Sequence, residues 1–102
     1  MYRKALAIEL KRAGIPFAQE ALVEAWYEGL NVGHFRVDFL VAERVIVEVK
    51  SREFLVEADR DQLLNYLSCS KVEVGLLLHF GPKARFERKV HSNSRKRDLP
   101  RE

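Results

Sequence analysis

The spacing of apolar residues along the chain predicts two helices. In residues 2–13, apolar side chains recur at helical intervals, lysines and arginines fill the other face, and Gly14 follows as a natural stop. Residues 57–69 show the same pattern, with a core stripe that ends at Leu67. The polar residues of its first turns, from Asp59 to Asp61, are expected to face water.

Five other segments predict strands, because they are rich in β-branched or aromatic residues and are bounded by turn residues. The fourth segment is almost continuously apolar, which is typical of a strand buried on both faces. The Gly-Leu-Asn-Val-Gly stretch at 29–33 is predicted to be the turn of the first hairpin. The predicted strands are 17–28, 34–41, 44–50, 72–80 and, as a short edge strand, 84–90.

The order of these elements predicts an α/β domain with a mixed sheet flanked by helices. The first three strands form an antiparallel meander, and the crossover through the second helix makes the next strand parallel to its partner. We expect one folded domain over residues 1–90. From His91 to Glu102, serine, asparagine, proline and basic residues dominate, so this tail is expected to be disordered.

Composition narrows the class of protein. The chain has 102 residues, of which 47% are hydrophobic and 32% charged, as in an ordinary globular domain. Its single cysteine, Cys69, excludes an intramolecular disulfide framework and suits a reducing cytoplasm. We expect a cytoplasmic protein without a signal peptide, because no apolar stretch approaches the roughly 20 residues of a membrane span.

The charge of the chain is modest but uneven. The net charge is +3, and basic residues concentrate in the last fifth of the sequence. Such a basic end suits a polyanionic partner such as nucleic acid, although a simply solvated tail explains it about equally well. Lys83 and Arg85 are the candidate contacts in this region.

Three ionisable residues interrupt apolar strands. Asp38 lies in the middle of one strand, and Glu48 and Lys50 lie at the end of the next. Side chains alternate between the faces of a strand, so Glu48 and Lys50 point the same way, and in an antiparallel hairpin Asp38 can lie across from them. Burying these charges together costs several kcal/mol unless something compensates, and a divalent cation would do so. Ordinary ion pairs, between Arg36 and Asp38 or between Glu48 and Lys50, are the structural alternative.

An acid followed about ten residues later by Glu-x-Lys resembles the motif of the PD-(D/E)xK nuclease superfamily. In this chain the motif comprises Asp38, Glu48 and Lys50, and the helix–meander–helix–strand order resembles the αβββαβ core of restriction endonucleases. Gln62 and Tyr66, four residues apart on one helix face, resemble the Gln-x-x-x-Tyr helix motif of one subgroup.

Most of the chain also resembles the GxxExxY family of that superfamily. The matching segments are 13–17, 36–41, 45–50, 62–67 and 75–81. One feature departs from the pattern. The tyrosine of the family motif corresponds to Tyr2, so its glutamate, which resembles a metal-holding acid of related nucleases, would precede the first residue. Either the chain is a shortened version or another group substitutes, and Glu9 is the nearby candidate.

The resemblance implies a Mg²⁺- or Mn²⁺-dependent nuclease acting on DNA rather than RNA. Asp38 and Glu48 would be carboxylate ligands, and the Val49 carbonyl a third, because Mg²⁺ prefers oxygen donors and keeps several waters. Lys50 would orient or deprotonate the attacking water or stabilise developing charge, and Arg36 would reach a phosphate. Gln62 and Tyr66 would hydrogen-bond the water, Lys50 or a phosphate.

Two other functions remain open at the level of the sequence. A catalytically inactive module could bind nucleic acid or a protein partner on the same fold. An assembly protein could instead use a sheet edge or the first helix to form a homodimer. His79, at the end of the buried strand, is predicted to be structural rather than a metal ligand.

Overall fold

The computed structural model describes residues 1–51 and 54–101. Two helices and five strands follow one another in the predicted order, and a short 3₁₀ turn comes after them. The prediction of an αβββαβ core with an added edge strand is therefore confirmed. The elements are α1 (Tyr2–Arg12), β1 (Phe17–Tyr27), β2 (Leu30–Val41), β3 (Val45–Lys50), α2 (Glu57–Cys69), β4 (Val74–Phe80), β5 (Ala84–Val90) and the 3₁₀ turn Asn93–Arg95.

The strands form one mixed sheet in the order β1-β2-β3-β4-β5. The pairs β1–β2, β2–β3 and β4–β5 are antiparallel, whereas β3 and β4 are parallel. Helix α2 connects the parallel pair, as the crossover rule requires. The meander and the parallel crossover are both as predicted.

Each face of the sheet packs against one helix. Leu63 and Leu67 of α2 pack on a cluster that includes Ile46 and Leu77, while Ala7 of α1 packs on a cluster that includes Val47. Strand β3 is buried on both faces because consecutive residues alternate between the two clusters. The α2 layer lies so close that a Cβ on Gly75 would sit 2.6 Å from a methyl carbon of Leu63.

The pleat of β2 is interrupted at Asp38. Val37 packs in the α2 cluster and Phe39 in the α1 cluster, although residues two apart in a regular strand share a face. The ladder with β1 passes from the pair of Ala21 with Val37 to the pair of Gln19 with Phe39, and no pair forms between them. Glu20, opposite the gap, has a positive φ of 48°. The interruption releases the backbone of Asp38 from the ladder with β1.

The first hairpin is tighter than predicted. Strand β2 begins at Leu30 rather than at residue 34, and Tyr27 pairs directly with Leu30. The turn consists of Glu28 and Gly29 alone, and both have positive φ, as a two-residue hairpin turn of this hand requires. The expected five-residue turn at 29–33 is therefore wrong, because Gly33 lies inside the strand beside a register shift.

The tail also differs from the expected disorder. Lys96 is almost completely buried, with 1% of its surface exposed, and its ammonium donates to the carbonyls of Ser70 at 2.8 Å and Val72 at 2.7 Å. Leu99 is buried as well. The described part of the tail, residues 91–101, packs on the domain because its lysine supplies donors to backbone carbonyls just beyond the C-terminal end of α2. Glu102 lies outside the described residues.

Candidate active site

Asp38 and Glu48 are held together by a reciprocal pair of hydrogen bonds. The backbone N–H of Asp38 donates to Oε2 of Glu48 at 2.7 Å. In return, the backbone N–H of Val49 donates to Oδ2 of Asp38 at 2.8 Å. The neighbouring ladder pair, Phe39 with Val47, places the two acids opposite one another. Each carboxylate thus bonds to the backbone of the other strand where the regular ladder ends.

The surroundings of Glu48 disfavour its ionised form. Only 5% of its surface is exposed, and burial raises the pKa of its carboxyl above the ordinary value. The negative charge of Asp38 raises the pKa further, while the hydrogen bond from the Asp38 backbone and the charges of Lys50 and Arg3 lower it. The net direction is upward. A cation bound between the two acids would therefore stabilise the ionised form of Glu48.

Arg3 of α1 reaches the same site. Its guanidinium lies 3.3 Å from Oδ1 of Asp38, with 56% of the arginine side chain and 19% of the aspartate side chain exposed. Sequence reasoning missed this residue. The ion pair depends on the angle at which α1 crosses the sheet, which no local spacing encodes.

Lys50 points from the end of β3 towards α2. Its Nζ lies 3.5 Å from Oε1 of Gln62 and 3.8 Å from Oδ1 of Asp59. Only 18% of the lysine side chain is exposed. The predicted proximity of Gln62 and Lys50 is thus present in the structure.

Asp59 was expected to face water, and this is wrong, because it is buried with 5% of its surface exposed. Its Oδ2 accepts a hydrogen bond from the Val56 backbone at 3.3 Å, and its own N–H donates to the Val56 carbonyl at 3.0 Å. An acid three positions into a helix commonly caps the first turn in this way. The position of Asp59 as the third residue of the helix was the feature of the sequence that could have predicted its burial.

Tyr66 lies beside the acids but also has a packing role. Its ring stacks on Phe35 at a centroid distance of 4.1 Å and an angle of 4°. Burial, followed by the negative charges of Glu48 and Asp38, raises the pKa of its phenol. The hydroxyl therefore stays protonated at neutral pH and can act as a hydrogen-bond donor.

The other predicted residues occupy two separate regions. Arg36 is exposed and pairs with Leu22 in the β1–β2 ladder. Lys83 and Arg85 are exposed near the β4–β5 turn, where they line a pocket with His79. His79 itself is buried and pairs with Lys50 across the parallel strands.

The chemistry of the donor set suits a hard divalent cation. Among residues 1–51 and 54–101 no group of three or more His, Cys, Asp or Glu side chains is placed to hold a metal. The candidate ligands are instead the carboxylates of Asp38 and Glu48 with the carbonyl of Val49. In a strand the N–H and C=O of one residue point to the same side, so that carbonyl faces the side on which the Val49 N–H meets Asp38. Mg²⁺ prefers such a small oxygen set completed by waters.

Comparison with known proteins agrees with the fold and with the motif. A model of the PD-(D/E)XK nuclease superfamily matches residues 1–91. No curated protein matches the chain. The solved structure titled "Crystal structure of SSO0001" is similar, with a TM-score of 0.65 and 18% identity over 99% of this chain and 50% of that one. The chain thus spans about half of that protein, and the likeness supports a restriction-endonuclease-like arrangement of the sheet and two helices.

The part of the chain that the structure describes contains no helix long and apolar enough to cross a membrane. The family model covers far more than half of the chain and includes Asp38, Glu48 and Lys50. The protein therefore belongs to the PD-(D/E)XK nuclease superfamily.

Proposed function

We propose that the protein is a Mg²⁺- or Mn²⁺-dependent nuclease that hydrolyses phosphodiester bonds, with DNA rather than RNA as its substrate. The observation that carries the proposal is the reciprocal bonding of Asp38 and Glu48, which holds two acids side by side near Lys50. Membership of the superfamily supports nuclease activity and a nucleic-acid substrate, and its nucleases generally use divalent metals.

Asp38, Glu48 and the Val49 carbonyl would hold the ion. When bound, such an ion polarises the phosphate and lowers the pKa of a coordinated water. The raised pKa of Glu48 favours this assignment, since a cation beside the buried carboxylate would offset the cost of its ionisation.

Lys50 would orient the attacking water and stabilise negative charge as it develops on the phosphate. Its ammonium is positioned by Gln62 and Asp59, which limits its movement. The Tyr66 hydroxyl, kept protonated, would donate to a phosphate oxygen or to the water. Arg36 would contact phosphate along the strand.

A second candidate function is a non-catalytic module that binds nucleic acid or protein. The ion pair of Arg3 with Asp38 favours it, because the guanidinium occupies one of the oxygens that a metal would need. We propose the GxxExxY family as the subgroup to which the chain belongs. The long edge strand β1 also offers a surface for a homodimer.

The test is cleavage of plasmid and single-stranded DNA with Mg²⁺ or Mn²⁺. We expect Lys50→Ala to lower the rate roughly a hundred- to ten-thousandfold, the range typical of a positioned general acid or base. Lys11→Ala, at an exposed lysine in the last turn of α1, is the matched control and should cleave normally.

Circular dichroism and thermal melting must show that Lys50→Ala remains folded. Equal cleavage by Lys50→Ala and wild type would overturn the proposal. DNA binding that weakens with salt but never leads to cleavage would identify the non-catalytic module instead.

A further inference from the structure

A pocket of about 510 Å³ lies beside the candidate active site, between the start of α2 and the ends of β4 and β5. Its volume falls within the range of small-molecule sites, roughly 300–1,000 Å³. One part of its lining is apolar and the other part is basic. The apolar residues are Phe54, Leu55 and Pro82, and the basic ones include His79, Lys83 and Arg85.

The pocket connects to the candidate active site through a row of residues across the sheet. Lys50 on β3 pairs with His79 on β4, and His79 pairs with Arg85 on β5. Paired residues project to the same face, and neighbouring strands are about 4.8 Å apart, so the row spans roughly 10 Å. A single nucleotide can bridge that distance from Lys50 into the pocket.

Among the lining residues that the structure describes, the one acid, Glu87, is already neutralised. Arg60 of α2 forms two hydrogen bonds to Glu87 of β5, at 2.7 Å and 2.6 Å. This contact lowers the pKa of the Glu87 carboxyl, so Glu87 remains ionised and paired. The exposed cations Lys83 and Arg85 consequently give the pocket mouth a positive potential that attracts phosphate.

Phe54 supplies the remaining element of the site. Its side chain is 68% exposed at the pocket, so the face of the ring is accessible to a ligand. Exposed aromatic rings beside basic residues are the usual surface on which unpaired bases stack.

We propose that this pocket binds one nucleotide of a single strand, next to the phosphodiester at Lys50. Its base stacks on Phe54, and its phosphate lies between Lys83 and Arg85. The base must leave its own stack to enter, so the site selects single-stranded or locally opened nucleic acid. The assignment rests on the proposed function only in naming the phosphodiester at Lys50 as the one that is cut.

The chain offers a matched control for each proposed contact. Phe86 is exposed to the same extent as Phe54, 68%, but pairs with Leu78, whose side chain packs on the α1 face. Arg88 pairs with Leu76 on that same face and serves as the control for Arg85. Phe54→Ala and Arg85→Ala are therefore compared with Phe86→Ala and Arg88→Ala.

Binding of a six-nucleotide oligothymidylate is measured by fluorescence anisotropy in EDTA, so that no cleavage is required. We expect Phe54→Ala to weaken binding roughly five- to hundredfold, the range found for loss of one base stack. Arg85→Ala should reduce the slope of log affinity against log salt by about 1. Both control variants should bind as wild type does.

A series of oligonucleotides with one abasic position then locates the contact. At one position the missing base should weaken wild-type binding as much as Phe54→Ala does, and the two changes together should add nothing further. Binding by Phe54→Ala and Arg85→Ala equal to that of their controls would overturn the pocket assignment, even in a protein that cleaves DNA. If binding depends on Phe54 but no DNA is cleaved, the pocket assignment stands and the proposed nuclease activity is wrong.

Discussion

At the scale of single residues, the site depends on backbone N–H groups as much as on side chains. The N–H groups of Asp38 and Val49 donate to carboxylates instead of continuing the sheet ladder. These bonds fix the positions of both acids, and burial raises the pKa of the Glu48 carboxyl. The acids are positioned accurately at a cost in stability, which is a common property of functional sites.

Glu48→Gln tests that cost. The amide oxygen of glutamine can still accept from the Asp38 backbone, but the buried charge is gone. A carboxyl whose folded pKa is raised stabilises the protein below its unfolded value, here 4.5, and that contribution is lost as pH rises through the folded pKa. In EDTA we therefore expect Glu48→Gln to melt at or above the wild-type temperature at pH 7. Its advantage should grow as pH rises from 4.5.

The matched control is Glu43→Gln, at an exposed glutamate in the turn between β2 and β3. Its melting temperature should follow that of wild type across the pH range. A large loss of stability in Glu48→Gln at pH 7 would show that the carboxylate is already compensated within the protein.

At the scale of elements, the segment after β5 links parts of the fold that are distant in sequence. The N–H groups of Glu28 and Gly29 in the first hairpin turn donate to Asp98, at 3.1 Å and 2.9 Å. Lys96 donates to carbonyls beyond the end of α2. Composition alone predicts disorder here, because it does not indicate that a lysine can be buried once its ammonium has backbone acceptors.

Lys96→Met tests this link. Burial lowers the pKa of Lys96 from 10.5 to about 8. Between these values the unfolded chain binds more protons than the folded one, so stability rises with pH. The difference in unfolding free energy between wild type and Lys96→Met should therefore shift in favour of wild type by about 3 kcal/mol from pH 8 to pH 10.5.

Urea denaturation at several pH values measures that difference and cancels the groups that both proteins share. Lys11→Met, at an exposed lysine, should show no such trend. A constant difference between wild type and Lys96→Met across the range would mean that Lys96 is not buried in solution.

At the scale of the whole molecule, the sequence predicts the order of elements, the mixed sheet and the pairing of Asp38 with Glu48. The elements can be predicted because hydrophobic periodicity is visible in short stretches of the sequence. The crossover rule then gives the direction of the strands. Arg3 could not be predicted, since its contact depends on how α1 crosses the sheet. The short hairpin turn was missed because it uses a positive φ at Glu28, a residue type that gives little signal for it. The pocket at Phe54 could not be predicted either, because its lining comes from the region of α2, from β4 and from β5, which only the folded chain brings together.

Metal binding should stabilise the entire fold if Asp38, Glu48 and Val49 form one site, because β2 and β3 both contribute to it. At a Mn²⁺ concentration about 100 times the dissociation constant, mass action adds about 2.7 kcal/mol. For a domain of this size, that raises the melting temperature by on the order of 10 °C. Asp38→Asn should abolish most of this shift.

Arg3→Gln tests whether the Arg3 guanidinium competes with the metal ion for the Asp38 carboxylate. Removing the cation that lies 3.3 Å from Asp38 should let Mn²⁺ bind more tightly, so the metal-dependent shift should appear at lower concentration than in wild type. Arg12→Gln, at the far end of α1 and paired with Glu9, is the control and should titrate as wild type does. If Mn²⁺ raises the melting temperatures of wild type, Asp38→Asn and Arg3→Gln equally and at the same concentrations, the metal binds elsewhere. The two acids would then serve only to join β2 to β3.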